Sequence, residues 1–244
     1  AASATAGDTA ILRVDSVINP STANYTFYVR ITTYASTNTS GGSTDTGTVA
    51  ASTATPIVVS GTMPESLVFC TGATVSTTLG VPDCSTATSG NISFNQLFSP
   101  SSTATATSQM AASTNANGGY IVTVNGSTLT SGINTITAMS SATTSVPGTG
   151  QFGMNLKANA TPSVGVEVAP AANGTTLRGQ AATNYNTADT FKFTTGDTVA
   201  NSANGGSGPT NAQIYTISYM VNVPGSQIAG TYTTTLTYVC TATF

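Results

Sequence analysis

The chain lacks histidine and tryptophan and carries little charge of either sign. Its 244 residues include five lysines and arginines and eight aspartates and glutamates, which together make up 5% of the sequence. Without an imidazole there is no Ser-His-Asp or Cys-His catalysis, no histidine-ligated metal and no histidine pH switch. A net charge of −3 with only five basic residues leaves no electrostatic footprint for nucleic acid. No apolar run approaches the roughly 18 residues of a membrane helix.

The acidic residues show no spacing typical of catalysis or metal binding. A glycosidase needs two carboxylates that flank the scissile bond, and no pair of acids here has a recognisable motif spacing. Asp189 and Asp197 are candidate calcium ligands, but the EF-hand pattern is absent. Lys157 and Lys192 either take part in Lys–Asn isopeptide cross-links, as in some surface pilins, or are ordinary lysines with packed aliphatic stems. We therefore expect no enzymatic activity, no cofactor and no metal.

The residues that are present alternate with the period of a β-strand, most clearly over 230–244. The odd positions after Gly230 carry threonine except at Val239. Because successive strand side chains point to opposite faces, the even positions form a second, more apolar face. Its largest members are predicted to lie in the core: Tyr232, Leu236, Tyr238, Cys240 and Phe244. We expect one long strand that is tied into a sheet up to its last residue.

Comparable segments recur along the whole chain. The pattern predicts further strands at 10–18, 25–34, 56–62, 66–71, 91–95, 103–113, 120–125, 151–158, 164–168, 190–195 and 212–223. Asn125-Gly126, Asn173-Gly174 and Asn117-Gly118-Gly119 predict tight hairpin turns between strands. Many short strands with such turns indicate an all-β protein, an immunoglobulin-like or jelly-roll-like β-sandwich with an extended N-terminal strand.

Composition divides the chain into three parts. Residues 1–35 hold two predicted strands, 36–55 form a Ser/Thr/Gly-rich loop, and 56–244 form the sandwich body. Two strands are not stable alone in water, so the first part must dock on the body or on a neighbouring molecule. A donated strand would consist of Ile11, Leu12, Val14, Val17 and Ile18. The alternative is an edge strand of the chain's own sandwich, whereas head-to-tail donation does not close and produces a fibre.

The cysteines and the first residues indicate an oxidising compartment. The chain begins without methionine in small residues, as after signal-peptidase cleavage, so we expect an extracellular or cell-surface protein. A disulfide between Cys70 and Cys84 is favoured over one between Cys70 and Cys240. The third thiol is then either buried or bonded to another chain. Asn38, in the Ser/Thr/Gly-rich loop, is the most accessible candidate for glycosylation.

Five segments carry a resemblance to a known group of proteins. They are Tyr-Thr-Phe-Tyr-Val-Arg-Ile-Thr-Thr-Tyr (25–34), Met-Pro-Glu-Ser-Leu-Val-Phe-Cys (63–70), Ser-Thr-Asn-Ala-Asn-Gly-Gly-Tyr (113–120), Gln-Phe-Gly-Met-Asn-Leu (151–156) and the stretch 229–244. Together they resemble secreted, β-rich surface proteins of ultrasmall, Saccharibacteria-like bacteria of the candidate phyla. That resemblance implies a cell-surface setting and brings no activity and no site residues.

The C-terminal stretch is separately similar to WxL-type surface domains and to the last strand of donor-strand pilins. In those proteins a glycine precedes a long alternating strand that ends near an aromatic residue, and Gly230 and Phe244 fit this outline. The chain has no tryptophan, so the WxL signature itself is absent and peptidoglycan attachment is not implied.

These observations favour a structural role over an enzymatic one. We expect a subunit of a pilus-like extracellular filament, in which identical copies join head to tail by strand donation and serve cell-surface attachment. The alternative is a monomeric or lattice-forming adhesin or surface-layer protein that binds a host-cell surface. A secreted hydrolase is a third hypothesis, weakened by the missing histidine and the scattered carboxylates.

Overall fold

The computed structural model describes residues 9, 11, 13–168, 179–202 and 208–244. Contacts divide the chain into two units, Ala1–Met63 and Pro64–Phe244. Apart from one short 3-10 helix, η1 (Cys84–Thr86), the regular elements of the described residues are strands. In chain order these are β1 (Thr26–Tyr34), β2 (Ser43–Ser52), β3 (Leu67–Gly72), β4 (Thr77–Thr78), β5 (Val81–Pro82), β6 (Ala104–Thr114), β7 (Tyr120–Gly126), β8 (Thr130–Ser131), β9 (Asn134–Thr135), β10 (Thr143–Thr144), β11 (Gln151–Asn155), β12 (Asn159–Ala160), β13 (Ser163–Val164), β14 (Gly179–Ala181), β15 (Thr190–Phe191), β16 (Thr198–Ser202), β17 (Thr210–Asn222) and β18 (Leu236–Ala242).

The second unit is built from two four-stranded antiparallel sheets. Their strand orders are β11-β17-β6-β3 and β14-β16-β7-β18. Side chains from both sheets form one apolar core, whose large members include Met110, Val122, Phe152, Tyr215 and Ile217. The predicted all-β sandwich is therefore confirmed.

The central strand β17 is buried on both faces. Tyr215, Ile217 and Val221 belong to the core between the sheets, whereas Met220 points the other way and packs with Met139 and Phe191. Burial on both faces explains why the strand does not alternate strictly and carries three consecutive apolar residues, Tyr219, Met220 and Val221.

The C-terminal strand β18 shows the predicted alternation over a shorter range. Its even positions from Leu236 to Ala242 are half-buried and its odd positions are exposed. Tyr232 also packs against the core, although it precedes the strand. Phe244 lies beyond the end of the strand and is 54% exposed, so its prediction as a core residue is wrong.

Pairs of tyrosines link the two sheets through their hydroxyl groups. The Oη atoms of Tyr120 on β7 and Tyr215 on β17 are 2.7 Å apart. The Oη atoms of Tyr219 on β17 and Tyr238 on β18 are 2.8 Å apart, and Tyr219 also contacts the hydroxyl of Ser108. Burial raises the pKa of all four phenols because it disfavours the phenolate. The shared hydrogen bonds satisfy polar groups that otherwise would destabilise the core.

Several predicted strands and turns differ from the structure. The predicted loop 36–55 contains β2, because its threonines and valine pair with β1. Asn117-Gly118-Gly119 connects β6 to β7, which lie in different sheets and so form no hairpin. Asn125-Gly126 ends β7, whose neighbours are β16 and β18. The Asn173-Gly174 turn lies outside the described residues.

Three other predicted strands are not part of any ladder. The described residues within 10–18, and all those within 56–62 and 91–95, are assigned to no strand. A strand is defined by its hydrogen-bonded neighbour, and the described residues of these segments have none in a single copy of the chain. The predicted body also begins later than expected, at Pro64 rather than at residue 56.

The predicted disulfide is present and joins β3 to η1. Cys70 and Cys84 are bonded, with their Cα atoms 5.6 Å apart, and Cys240 is a free, half-buried thiol. The alternative pairing of Cys70 with Cys240 is therefore wrong. The disulfide closes the loop that runs alongside the edge strand β3.

We predict that removing this disulfide destabilises the protein measurably. Closing a loop with a sequence separation of 14 stabilises a fold by about 3 kcal/mol in the chain-entropy account. Urea unfolding of the double variant Cys70→Ala, Cys84→Ala is expected to show a loss of that size relative to the parent. The matched control Cys240→Ala should lose less, and equal losses would contradict the role given to the disulfide.

We also predict that stability falls steeply in alkali. The four buried tyrosines have a pKa raised above 10.0, so the native state retains protons that the unfolded chain releases. Stability is then constant below a pH of about 10 and falls above it by up to about 1.4 kcal/mol per pH unit for each tyrosine. Urea unfolding across this range measures the slope. The double variant Tyr120→Phe, Tyr215→Phe should have a shallower slope, and a flat profile in the parent would refute the account.

Candidate functional site

The first unit is a β-hairpin without a core. Strands β1 and β2 pair antiparallel, with Val29 opposite Val49 and Phe27 opposite Ala51. These residues and Ile31 share one face of the hairpin, because residues two apart point the same way. No described residue up to Met63 is buried. An isolated two-stranded hairpin is at best marginally stable in water, so this apolar face requires a cover.

The described residues of the predicted donor strand are exposed. Ile11 and Ile18 are 92% and 93% exposed, and Val14 and Val17 are 67% and 66% exposed. Leu12 lies outside the described residues. Their role as a donated strand stays a prediction, since a single copy provides no sheet with which they pair.

A second apolar run of the first unit is equally exposed. Ile57, Val58 and Val59 are consecutive and are 89%, 87% and 90% exposed. Three consecutive β-branched residues in water are costly, because each leaves about 1.5–3 kcal/mol of hydrophobic stabilisation unused. Exposed apolar surface of this extent is typical of an interaction site rather than of a free monomer.

The body carries an open cleft of about 790 Å³. Its floor includes Ser108, Phe152 and Tyr219, which come from three neighbouring strands of one sheet. Its walls are the irregular segment 90–98 and residues 230–236, which lead into the start of β18. Among the described residues, no lysine, arginine, aspartate or glutamate lines this cleft. We refer to it as the uncharged cleft.

Both walls of the uncharged cleft have the side-chain pattern of strands, but most of their described residues belong to no ladder. Ile92 and Phe94 are half-buried and pack against the core, whereas Ser93 between them is exposed. Residues 231–236 alternate in the same way. The main chains of residues 91–94 and 229–232 form no hydrogen bond within the described part of the chain. One isolated bridge, between Thr130 and Thr233, is the nearest ladder contact.

Sequence reasoning missed this cleft although part of its signal was present. It predicted strands at 91–95 and over 230–244, which coincide with the two walls. The sequence does not reveal that both segments line one cleft. The floor residues of that cleft come from strands that are far apart in sequence. The apolar lining residues missed for this reason include Ile92, Phe94, Phe98, Leu129 and Phe152.

Both lysines of the body form ion pairs. Lys192 forms an ion pair with Asp197 at 2.5 Å, and the Tyr185 hydroxyl donates to the same carboxylate. Lys157 forms an ion pair with Glu167. The two ammonium groups thus contact carboxylates instead of the asparagine side chain that an isopeptide cross-link requires.

The predicted calcium ligands are not brought together. One oxygen of Asp189 accepts hydrogen bonds from the main-chain N–H groups of Ala160 and Thr161, at 2.7 and 2.8 Å. Asp197 instead pairs with Lys192. Within the described residues there is no group of three or more acidic or cysteine side chains placed to hold a metal ion.

The two remaining candidate residues differ in accessibility. Burial raises the pKa of the Cys240 thiol to about 11, so little thiolate exists at neutral pH and the group is a poor nucleophile. Asn38 is exposed, and its side-chain oxygen accepts a hydrogen bond of 2.6 Å from the Ser40 hydroxyl. Glycosylation of Asn38 stays a prediction.

Comparison with known proteins assigns no family. No protein-family model, curated protein or solved structure matches the chain. Among the described residues there is no helix of sufficient length and apolar character to cross a bilayer. The features of the molecule that bear on its function are therefore the hairpin, the exposed apolar segments and the uncharged cleft.

We predict that trypsin attacks the unassembled chain first in the hairpin unit. Arg13 has a side chain 85% exposed and Arg30 is exposed on β1, whereas the side chain of Lys192 is 16% exposed. Segments with few buried contacts open at low free-energy cost and are cut early. Mass spectrometry of a digestion time course should show cleavage after Arg13 and Arg30 before cleavage after Lys192. The reverse order would contradict the absence of a core in this unit.

Proposed function

We propose that this chain is a non-enzymatic structural subunit of an extracellular, pilus-like filament that serves cell-surface attachment. Identical copies would join head to tail by donating residues 11–18 to the sheet of a neighbour. The observation that carries this proposal is the first unit, in which no described residue is buried although Ile11, Val14, Val17 and Ile18 are apolar.

The energetic argument is that the hairpin unit lacks the burial that ordering requires. Fixing the backbone of one residue costs about 1–2 kcal/mol, which is normally offset by burial at about 25 cal/mol per Å² of apolar surface. A neighbouring copy provides that burial together with main-chain hydrogen bonds along a sheet edge. Because donor and acceptor surfaces differ, the contact is heterologous and propagates into a fibre unless rotation closes it.

The scarcity of charge supports dense packing of copies. Charged residues make up 5% of the chain and the net charge is −3. Neighbouring copies therefore repel one another weakly, and their association should depend little on ionic strength. An oxidising, extracellular setting is consistent with the disulfide between Cys70 and Cys84.

A second candidate function is a monomeric or lattice-forming adhesin of the cell surface. Exposed aromatic side chains on the hairpin favour it, with Tyr28 at 71% and Tyr25 at 52% exposure. Tyrosine provides large contact area and a hydroxyl for recognition of a partner surface. Negative-stain microscopy of the purified protein separates the candidates, because threads favour the filament and lattices or single particles favour the adhesin.

We predict that assembly depends on the apolar character of residues 11–18. Deletion of residues 1–18 should leave particles that sediment as monomers. The substitution Val14→Asp should raise the concentration needed for assembly at least about tenfold, because a buried carboxylate without a partner is costly.

The matched control for this prediction is a substitution on the body surface. Ile133 is 97% exposed and does not line the uncharged cleft, so Ile133→Asp should assemble like the parent. Sedimentation and negative-stain microscopy provide the measurement. If the truncated chain still forms filaments of normal length, strand donation by residues 11–18 is wrong.

A further inference from the structure

We infer that the uncharged cleft is the acceptor site for residues 11–18 of a second copy. This inference rests on the proposed strand donation and adds where the donated strand binds. Residues 90–98 and 230–236 would flank the incoming segment, with the sheet residues Ser108, Phe152 and Tyr219 beneath it.

Unpaired main-chain groups in the two walls favour insertion of a strand. Residues 91–94 and 229–232 make no main-chain hydrogen bond within the described part of the chain. Unsatisfied N–H and C=O groups along an extended segment are a template for a further strand. An inserted segment has two edges of its own, so it can pair with one wall on each side. The sequence predicts strands at both walls, and insertion would supply the ladder partner that residues 91–94 and 229–232 lack in the described single copy.

The side chains that face the cleft leave the core incompletely covered. Ile92 and Phe94 on one wall and Tyr232 and Leu236 on the other alternate with exposed residues. Their half-buried side chains pack against the core, so the core is covered incompletely on this side. Apolar side chains of a donated strand would complete that cover, as alternate side chains do in strand addition.

The uncharged cleft matches the uncharged face of the proposed donor strand. In an extended segment, Leu12, Val14 and Ile18 share one face, and this face carries no charge. Arg13 and Asp15 share the opposite face, and the Nε atom of Arg13 lies 2.9 Å from a carboxylate oxygen of Asp15. Insertion with the even-numbered face inward therefore places no charge in the cleft and leaves the ion pair towards solvent.

The length of the donor also suits the site. Residues 11–18 span about 26 Å when extended, which exceeds the four-residue length of either unpaired wall. Ser16 has a φ of 63° in the single copy, so insertion requires this residue to change to an extended conformation. The donor is thus not pre-formed as a strand and becomes one on pairing.

Intermolecular disulfide formation tests the acceptor assignment directly. Ser93 is an exposed residue of the first wall, so it would lie beside an outward-facing donor residue. In a Cys240→Ala background, Ser93→Cys is combined in turn with Arg13→Cys, Asp15→Cys and Val17→Cys. Directly opposed residues have Cβ atoms about 4.5–5.5 Å apart, which is close to disulfide distance. At least one combination should give a covalent ladder of multimers on a non-reducing gel after mild oxidation.

The matched control replaces the wall residue by one elsewhere on the body. Ile133→Cys, at a position 97% exposed and outside the cleft lining, is combined with the same three donor cysteines and should give at least about tenfold less multimer. Equal cross-linking in the control would overturn the acceptor assignment.

Microscopy of the same samples distinguishes the inference from the function on which it rests. Filaments with a cross-linked ladder through position 93 support both. Filaments without any cross-link in the three Ser93→Cys combinations overturn the acceptor site and leave strand donation in place. Absence of filaments from the parent chain overturns the proposed function and the acceptor site together.

Discussion

Hydrogen bonding of the main chain is the constraint on which the rest of this structure depends. In the body, long antiparallel ladders satisfy the main chains of β6, β7 and β17, and hydrogen bonds between tyrosines of the two sheets satisfy four phenol groups. In the cleft walls and in the N-terminal segment, one copy of the chain does not supply such ladder partners throughout. Residues 91–94 and 229–232, in the walls of the uncharged cleft, form no main-chain hydrogen bond within the described part of the chain, and the apolar side chains described within residues 11–18 are exposed. We propose the assembly because the unpaired walls and the exposed apolar segment could pair with each other.

The two units differ in how much of their surface is buried and in how their charged side chains are paired. The body has an apolar core of its own, a disulfide beside its edge strand β3 and ion pairs that engage both of its lysines. The hairpin unit has no buried residue in its described part, so its order depends on what covers it. A stable acceptor combined with a donor that gains order on pairing makes association nearly irreversible, since release of the donor would expose apolar surface on both partners.

The sequence predicts the architecture well because strand periodicity is local. The alternation of β18, the strand at β17 and the pairing of Cys70 with Cys84 were all accessible from spacing and composition. Sheet membership was not, because Asn117-Gly118-Gly119 looks like a hairpin turn whether its strands pair or cross between sheets. The cleft was not accessible either, since its floor combines residues such as Ser108 and Phe152 that only the tertiary fold brings together. Segments 10–18 and 91–95 have strand sequences without strand partners, and periodicity alone gives no sign of a missing neighbour.

Hydrogen exchange of main-chain amides, compared between monomeric and assembled protein, tests the central claim most directly. Amides in residues 91–94 make no hydrogen bond in the described single copy and should exchange rapidly there. The account predicts that these amides and those of residues 13–18 become protected together on assembly, while β17 is protected in both states. Assembled protein in which both segments still exchange as fast as in the monomer would contradict the account.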